Sequence, residues 1–379
     1  MGDRTESYRS VESAKMSAGI KAGATFVTRA AEQKAQATGK LHFSVDPANH
    51  PILRALLRFN PTPDGKWVVT IGPPRASESV VDTTGSMGGN VDVAMKVLGQ
   101  TYGMCIEILP PQTDFHLSLG IFGDCGDKFV LQQTQFEALA KPLIDALLNM
   151  APERQGGDNP EDPQYALFYA AYLRETYGNR IGLKDYHFLI SDAPLHTGPV
   201  KKAQLTRIFG DGVFDALAEV GQQIDPKYLP DEKEIVRDLL KRAHAFFLQV
   251  DNHSETKECF KEIYGEDRII RLPSTEYLPQ IQATIIGLTE GTLMLSDVKS
   301  FLCKGNMSAD DAELVRLSVS KIPTIGVQAA EIARLKHALP KPGDIFVDKM
   351  DLWPENTAEV VSDKPIEEDN DGKSDTVWL

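Results

Sequence analysis

Asp82-Thr83-Thr84-Gly85-Ser86 places one carboxylate and two hydroxyls at alternate positions just after the apolar pair Val80-Val81. Asp82, Thr84 and Ser86 can therefore face one point. A carboxylate with neutral hydroxyls forms a hard, all-oxygen environment that suits Mg²⁺, with Mn²⁺ or Ca²⁺ as alternatives. Gly85, Gly88 and Gly89 let the backbone close around that point. Two other stretches could contribute to the same chemistry. Gly156-Gly157-Asp158-Asn159-Pro160-Glu161 is a turn that presents an acid ahead of a helix, and Phe188-Leu189-Ile190-Ser191-Asp192 is an apolar run ending on an acid. Taken singly, these residues have plainer uses. Asp82 could simply end a strand with Thr84 or Ser86 capping the next helix, and Asp158 or Asn159 could serve a helix N-terminus.

Other chemistries fit less well. Ser86 lacks the first glycine of a nucleophile elbow, since Thr84 stands there, and Thr84 also withholds the second acid of an aspartyl phosphatase. Neither a P-loop nor a dinucleotide fingerprint occurs. His196 follows the third acid, where it could act as a general base, but a rim histidine with a structural hydrogen bond is the simpler reading.

Elements must bring these residues together. From residue 78 to about 273, short apolar segments alternate with helical patterns, which is the mark of βαβ units and a mostly parallel sheet covered on both faces. Strands are expected at Ser79–Asp82, Leu117–Phe122, Lys128–Leu131, His187–Ser191, Ala245–Val250 and Arg268–Leu272, with helices at Val93–Ile108, Phe136–Met150, Tyr165–Tyr177, Val213–Val220 and Ile235–Arg242. The first strand reads as short or partly exposed, because Ser77, Glu78 and Ser79 precede its only two clearly apolar residues. In a doubly wound sheet the carboxyl ends of strands meet at a switch point where ligands bind, so the three acids should converge there. Ahead of the sheet, Ile52–Phe59 and Trp67–Ile71 flank Pro63-Asp64-Gly65, a hairpin turn. Beyond Pro273 the pattern is helical, with Ser308 and Asp311 spaced to open one helix.

The 379 residues carry 40 Lys plus Arg against 54 Asp plus Glu, a net charge of −14 with no basic run, which argues against general nucleic-acid binding. Half of that net charge sits in the last thirty residues, read as a solvated, separable tail. Four scattered cysteines without metal-ligand spacing, no secretory leader and no apolar run of membrane-spanning length point to a cytoplasmic protein that does not insert into a membrane.

With these motifs in order, the chain resembles a von Willebrand factor type A (vWA) domain of the intracellular kind. Asp82, Thr84 and Ser86 match the metal-ion-dependent adhesion site (MIDAS) pattern D-x-[ST]-x-S, Asp158 matches the second-loop ligand and Asp192 the acid of a later strand end. Leu119-Gly120-Ile121-Phe122-Gly123-Asp124 resembles the family's second strand. The resemblance implies a Rossmann-like α/β fold over 78–273, with a polar arm at 1–41, a hairpin-like segment packing on the core at 42–77, a helical extension at 274–345 and the acidic tail at 346–379. It also implies one ion held by Asp82, Thr84, Ser86, Asp158 and Asp192. The partner would be a protein offering an acidic side chain to that ion, with an AAA+ ATPase as one candidate, and the role would be non-enzymatic, that of an adaptor or assembly factor. The alternatives are a metal-dependent hydrolase with His196 as base, and a structural component keeping a relic site.

Overall fold

The computed structural model describes residues 8–19, 29–154, 160–322, 328–333, 335 and 338–352. Its strands, in chain order, are β1 (Leu53–Ala55), β2 (Phe59–Pro61), β3 (Trp67–Val69), β4 (Pro74–Asp82), β5 (Asp114–Phe122), β6 (Leu131–Gln133), β7 (Arg174–Thr176), β8 (Asp185–Ser191), β9 (Ala243–Gln249), β10 (Ile269–Arg271) and β11 (Ile345–Phe346). Six of them form the central sheet in the order β10-β9-β8-β4-β5-β6, parallel throughout except for β6 at one edge. The fold is therefore α/β, doubly wound and mostly parallel.

Both faces of the sheet are apolar because both are covered. Val81, Leu117, Leu119, Ile121, Phe188 and Ile190 pack on one side with helices Asn90–Val97, Gln100–Ile108, Ala140–Leu147 and Leu278–Glu290. Val80, Phe122, Leu189 and Phe247 pack on the other with helices Gln164–Tyr172, Lys202–Phe209, Val213–Glu219, Glu232–Arg242 and Ser254–Tyr264. The chain leaves β4 toward β5 through the first helical layer and returns to β4's other side as β8, so the switch point lies at β4. Helix Leu278–Glu290 is clamped to the foot of the sheet, where buried Glu290 meets Arg75 Nε of β4 and the Tyr186 hydroxyl of β8, each at 3.0 Å.

The expected short first strand is corrected. β4 runs nine residues from Pro74, all buried, with Ser77, Glu78 and Ser79 in its middle. Glu78 is tolerated because its carboxyl meets the Arg174 guanidinium and lies 3.1 Å from Nδ1 of His187, its register partner on β8. Burial alone would raise the Glu78 carboxyl; the positive charge of Arg174 and the contact with His187 prevail and hold it below its usual range. The edge strand falls at Leu131–Gln133 rather than Lys128–Leu131. The helix expected from Phe136 starts only at Ala140, since Glu137 first exchanges backbone hydrogen bonds with Leu117 of β5 (2.9 and 3.0 Å).

A smaller antiparallel sheet, β11-β3-β2, contains the hairpin, whose Gly65 has φ +79°. The first apolar run does not continue into that hairpin as one strand, because β1 pairs in parallel with β7. The tail from 353 onward lies outside the described residues.

Candidate metal centre

The site forms at the carboxyl ends of β4 and β8. Asp82 closes β4, and Thr83 ties the following loop to β5 through its backbone N–H and hydroxyl, both donating to the Phe122 carbonyl at 2.9 and 3.0 Å. The chain then turns through a short 3₁₀ segment, Gly85–Met87, and Gly88 at φ +48° redirects it into helix Asn90–Val97. A side chain at Gly88 would strain that turn.

Four of the five expected donors are brought together. The Thr84 N–H and hydroxyl donate to Asp82 Oδ1 at 2.8 and 2.7 Å, the Thr84 and Ser86 hydroxyls lie 3.3 Å apart, and the Ser86 hydroxyl donates to Asp192 Oδ1 at 2.8 Å. Two hydroxyls thus link the carboxylate at one strand end to the carboxylate at the other. Asp158 lies outside the described residues.

Two further residues belong here that the sequence pattern did not single out. Ser191, the last residue of β8, donates to Asp82 Oδ2 at 2.6 Å and fastens Asp82 from the β8 side. Glu161 sets its carboxyl against the Thr84 hydroxyl and the Asp124 carboxyl, and within the field of Asp82. Ser191 looked like mere strand, and Glu161 was overshadowed by Asp158 in the same acidic loop; its position next to Pro160 was the available signal.

The electrostatics are those of carboxylates crowded without a counter-charge. Asp82 is fully buried rather than a surface residue, and burial lifts its carboxyl from 3.8 to about 6, opposed by the hydrogen bonds from Ser191 and Thr84 and assisted by the charge of Asp192. Burial, then Asp124 and Asp82, push Glu161 to about 9, with the Thr84 hydroxyl acting the other way. Ser86 is exposed and Asp192 half-buried, so the cluster opens to solvent on their side. His196 stands apart: its Nδ1 lies 3.2 Å from Asp162, whose carboxylate accepts from the Cys125 N–H and the Gln164 amide.

The residues fit a hard divalent cation. Their donors are all oxygen, and a cation would supply the charge that buried Asp82 lacks. Among the described residues no three His, Cys, Asp or Glu side chains converge as a ready-made cage. The hydroxyls of Thr84 and Ser86 stand between the carboxylates instead.

No family model matches the sequence, and no curated protein matches it. Similar solved structures include proximal thread matrix protein 1 of the mussel byssus (13% identity, TM-score 0.36, 58% of this chain and 47% of that one). They also include the pilus adhesin SpaC of Lactobacillus rhamnosus GG (14%, 0.37, 59% and 31%) and the vWF domain of the type V pili tip protein Mfa5 from Porphyromonas gingivalis (10%, 0.36, 58% and 96%). The matched region spans less than half of the mussel and Lactobacillus chains. The fold rests on the strand order given above rather than on these. No helix among the described residues is long and apolar enough to cross a membrane.

Proposed function

We propose that the chain is a divalent-cation-dependent protein-interaction module, working inside the cell as an adaptor or assembly factor rather than as an enzyme. One observation carries this reading: the Thr84 and Ser86 hydroxyls join the carboxylates of Asp82 and Asp192 in one run of oxygens across the ends of β4 and β8. Mg²⁺ is the preferred ion, with Mn²⁺ or Ca²⁺ as substitutes. When bound, it would offer an acceptor position for an oxygen of another molecule. The residues prepare that position. Ser191 and the Thr84 N–H orient the Asp82 carboxylate, Thr83 anchors the loop to β5, and exposed Ser86 and half-buried Asp192 leave the solvent side open. A protein partner would present an acidic side chain there, held weakly because the site's own carboxylates already offset the ion's charge. The AAA+ ATPase is an implication of the family resemblance, and the site's chemistry does not select it.

Isothermal titration of the chelated protein with Mg²⁺, together with an anomalous map of crystals soaked in Mn²⁺, is expected to give a single site that Asp82→Asn abolishes. An empty site at millimolar ion would sink the reading.

A further inference from the structure

The family resemblance gives the second loop's ligand to Asp158. We infer that Glu161 instead supplies that loop's carboxylate to the ion, an inference that rests on the metal-site reading above.

Glu161 is only 2% exposed, and its backbone is fixed on both sides. Its N–H donates to the Pro194 carbonyl and its carbonyl accepts from the His196 N–H, both at 2.9 Å, in a parallel bridge to Leu195. The segment that carries Asp192 therefore also sets the place of Glu161. The carboxyl lies near the Thr84 hydroxyl, so Glu161 flanks the run of oxygens beside the hydroxyl that donates to Asp82 Oδ1. Its Oε2 is buried and has no hydrogen-bond partner. An acceptor left that way costs free energy that a cation beside Thr84 would recover.

The neighbouring acid provides a contrast. Asp162 is also buried, but its two oxygens are taken up by the Cys125 N–H and the Gln164 amide. Of two adjacent carboxylates on one bridge, only Glu161 has an oxygen to give, and it is the one turned toward Asp82. A bound cation would be held by lone pairs of the Thr84 and Ser86 hydroxyls and by the Glu161 oxygen that lacks a partner.

The test is Mn²⁺ titration of the full chain, read by electron paramagnetic resonance for affinity and by water-proton relaxation for the number of waters on the bound ion. Glu161→Gln is expected to weaken binding about ten-fold or more and to add about one metal-bound water, whereas Asp158→Asn stays within about two-fold of the parent. Glu161→Asp, which keeps the charge on a shorter arm, should fall between, and it carries the test if the Gln variant does not fold. Unchanged affinity and hydration in Glu161→Gln, or a larger loss in Asp158→Asn, overturns the assignment. A parent protein that takes up no Mn²⁺ overturns the metal-site reading itself.

Discussion

Asp82 bears the electrostatic cost of the site before any ion arrives. Its carboxyl titrates near 6 in the folded chain against an ordinary 3.8, because burial opposes the charged form. Protonated Asp82 thus favours the folded state, a contribution fully present below about pH 4 and lost as pH rises through about 6. The raised Glu161 carboxyl extends the loss in the same direction toward about 9. At Asp82 alone the span corresponds to a cost on the order of 3 kcal/mol. Chelated protein should therefore melt at progressively lower temperature between pH 5 and 8, while saturating Mg²⁺ should flatten that slope. Parallel slopes with and without the ion would show that these carboxylates do not share one cation. At this scale the clustering of Asp82, Thr84, Ser86 and Asp192 was legible in the sequence, because these residues are set by spacing along two strand ends. Ser191 and Glu161 were not, since what singles them out is the neighbour across the fold to which each side chain reaches.

Strand β4 shows where local pattern stops being informative. β5, β8 and β9 read correctly as strands because residues buried on both faces are mostly apolar. β4 buries a carboxylate in its middle, and the groups that permit this stand 96 and 109 residues further along the chain. No window of sequence around Glu78 contains that information. Arg174 is itself 0% exposed and carries its charge beside Glu78, with Asp185 3.7 Å away. Removing one partner leaves the other charged and dry. Glu78→Ala should cost about 3–5 kcal/mol in urea unfolding, and Glu78→Leu with Arg174→Met should restore most of it, as packed apolar pairs often replace buried ions. A single variant within about 1 kcal/mol of the parent would mean that water reaches the cluster.

Over the whole molecule, contacts between distant parts of the chain dominate. β11 returns from residue 345 to pair with β3, and Leu352 is fully buried beside Leu57, Val69 and Tyr177. The hairpin was legible from Asp64-Gly65, but the third strand added to it was not, since two residues give too little alternation to read. The central sheet is ordered in the same way: β4 pairs with β5 after one crossover but receives β8 only after the chain has passed through β7.

That order bears on how the protein is made. A growing chain emerges from the ribosome with β4 complete and its β8 side bare, an open edge of the kind that recruits other unfinished chains. Glu78 lies on that edge, and until Arg174 and His187 are synthesised its carboxylate is hydrated and repels a like strand. The residue that looks misplaced in the finished core would thus act as a guard during assembly. The Glu78→Leu, Arg174→Met protein should come close to the parent in equilibrium stability yet refold from urea in lower yield as its concentration rises, by light scattering; equal yields at every concentration would remove the guard role and leave Glu78 with its ion pair alone.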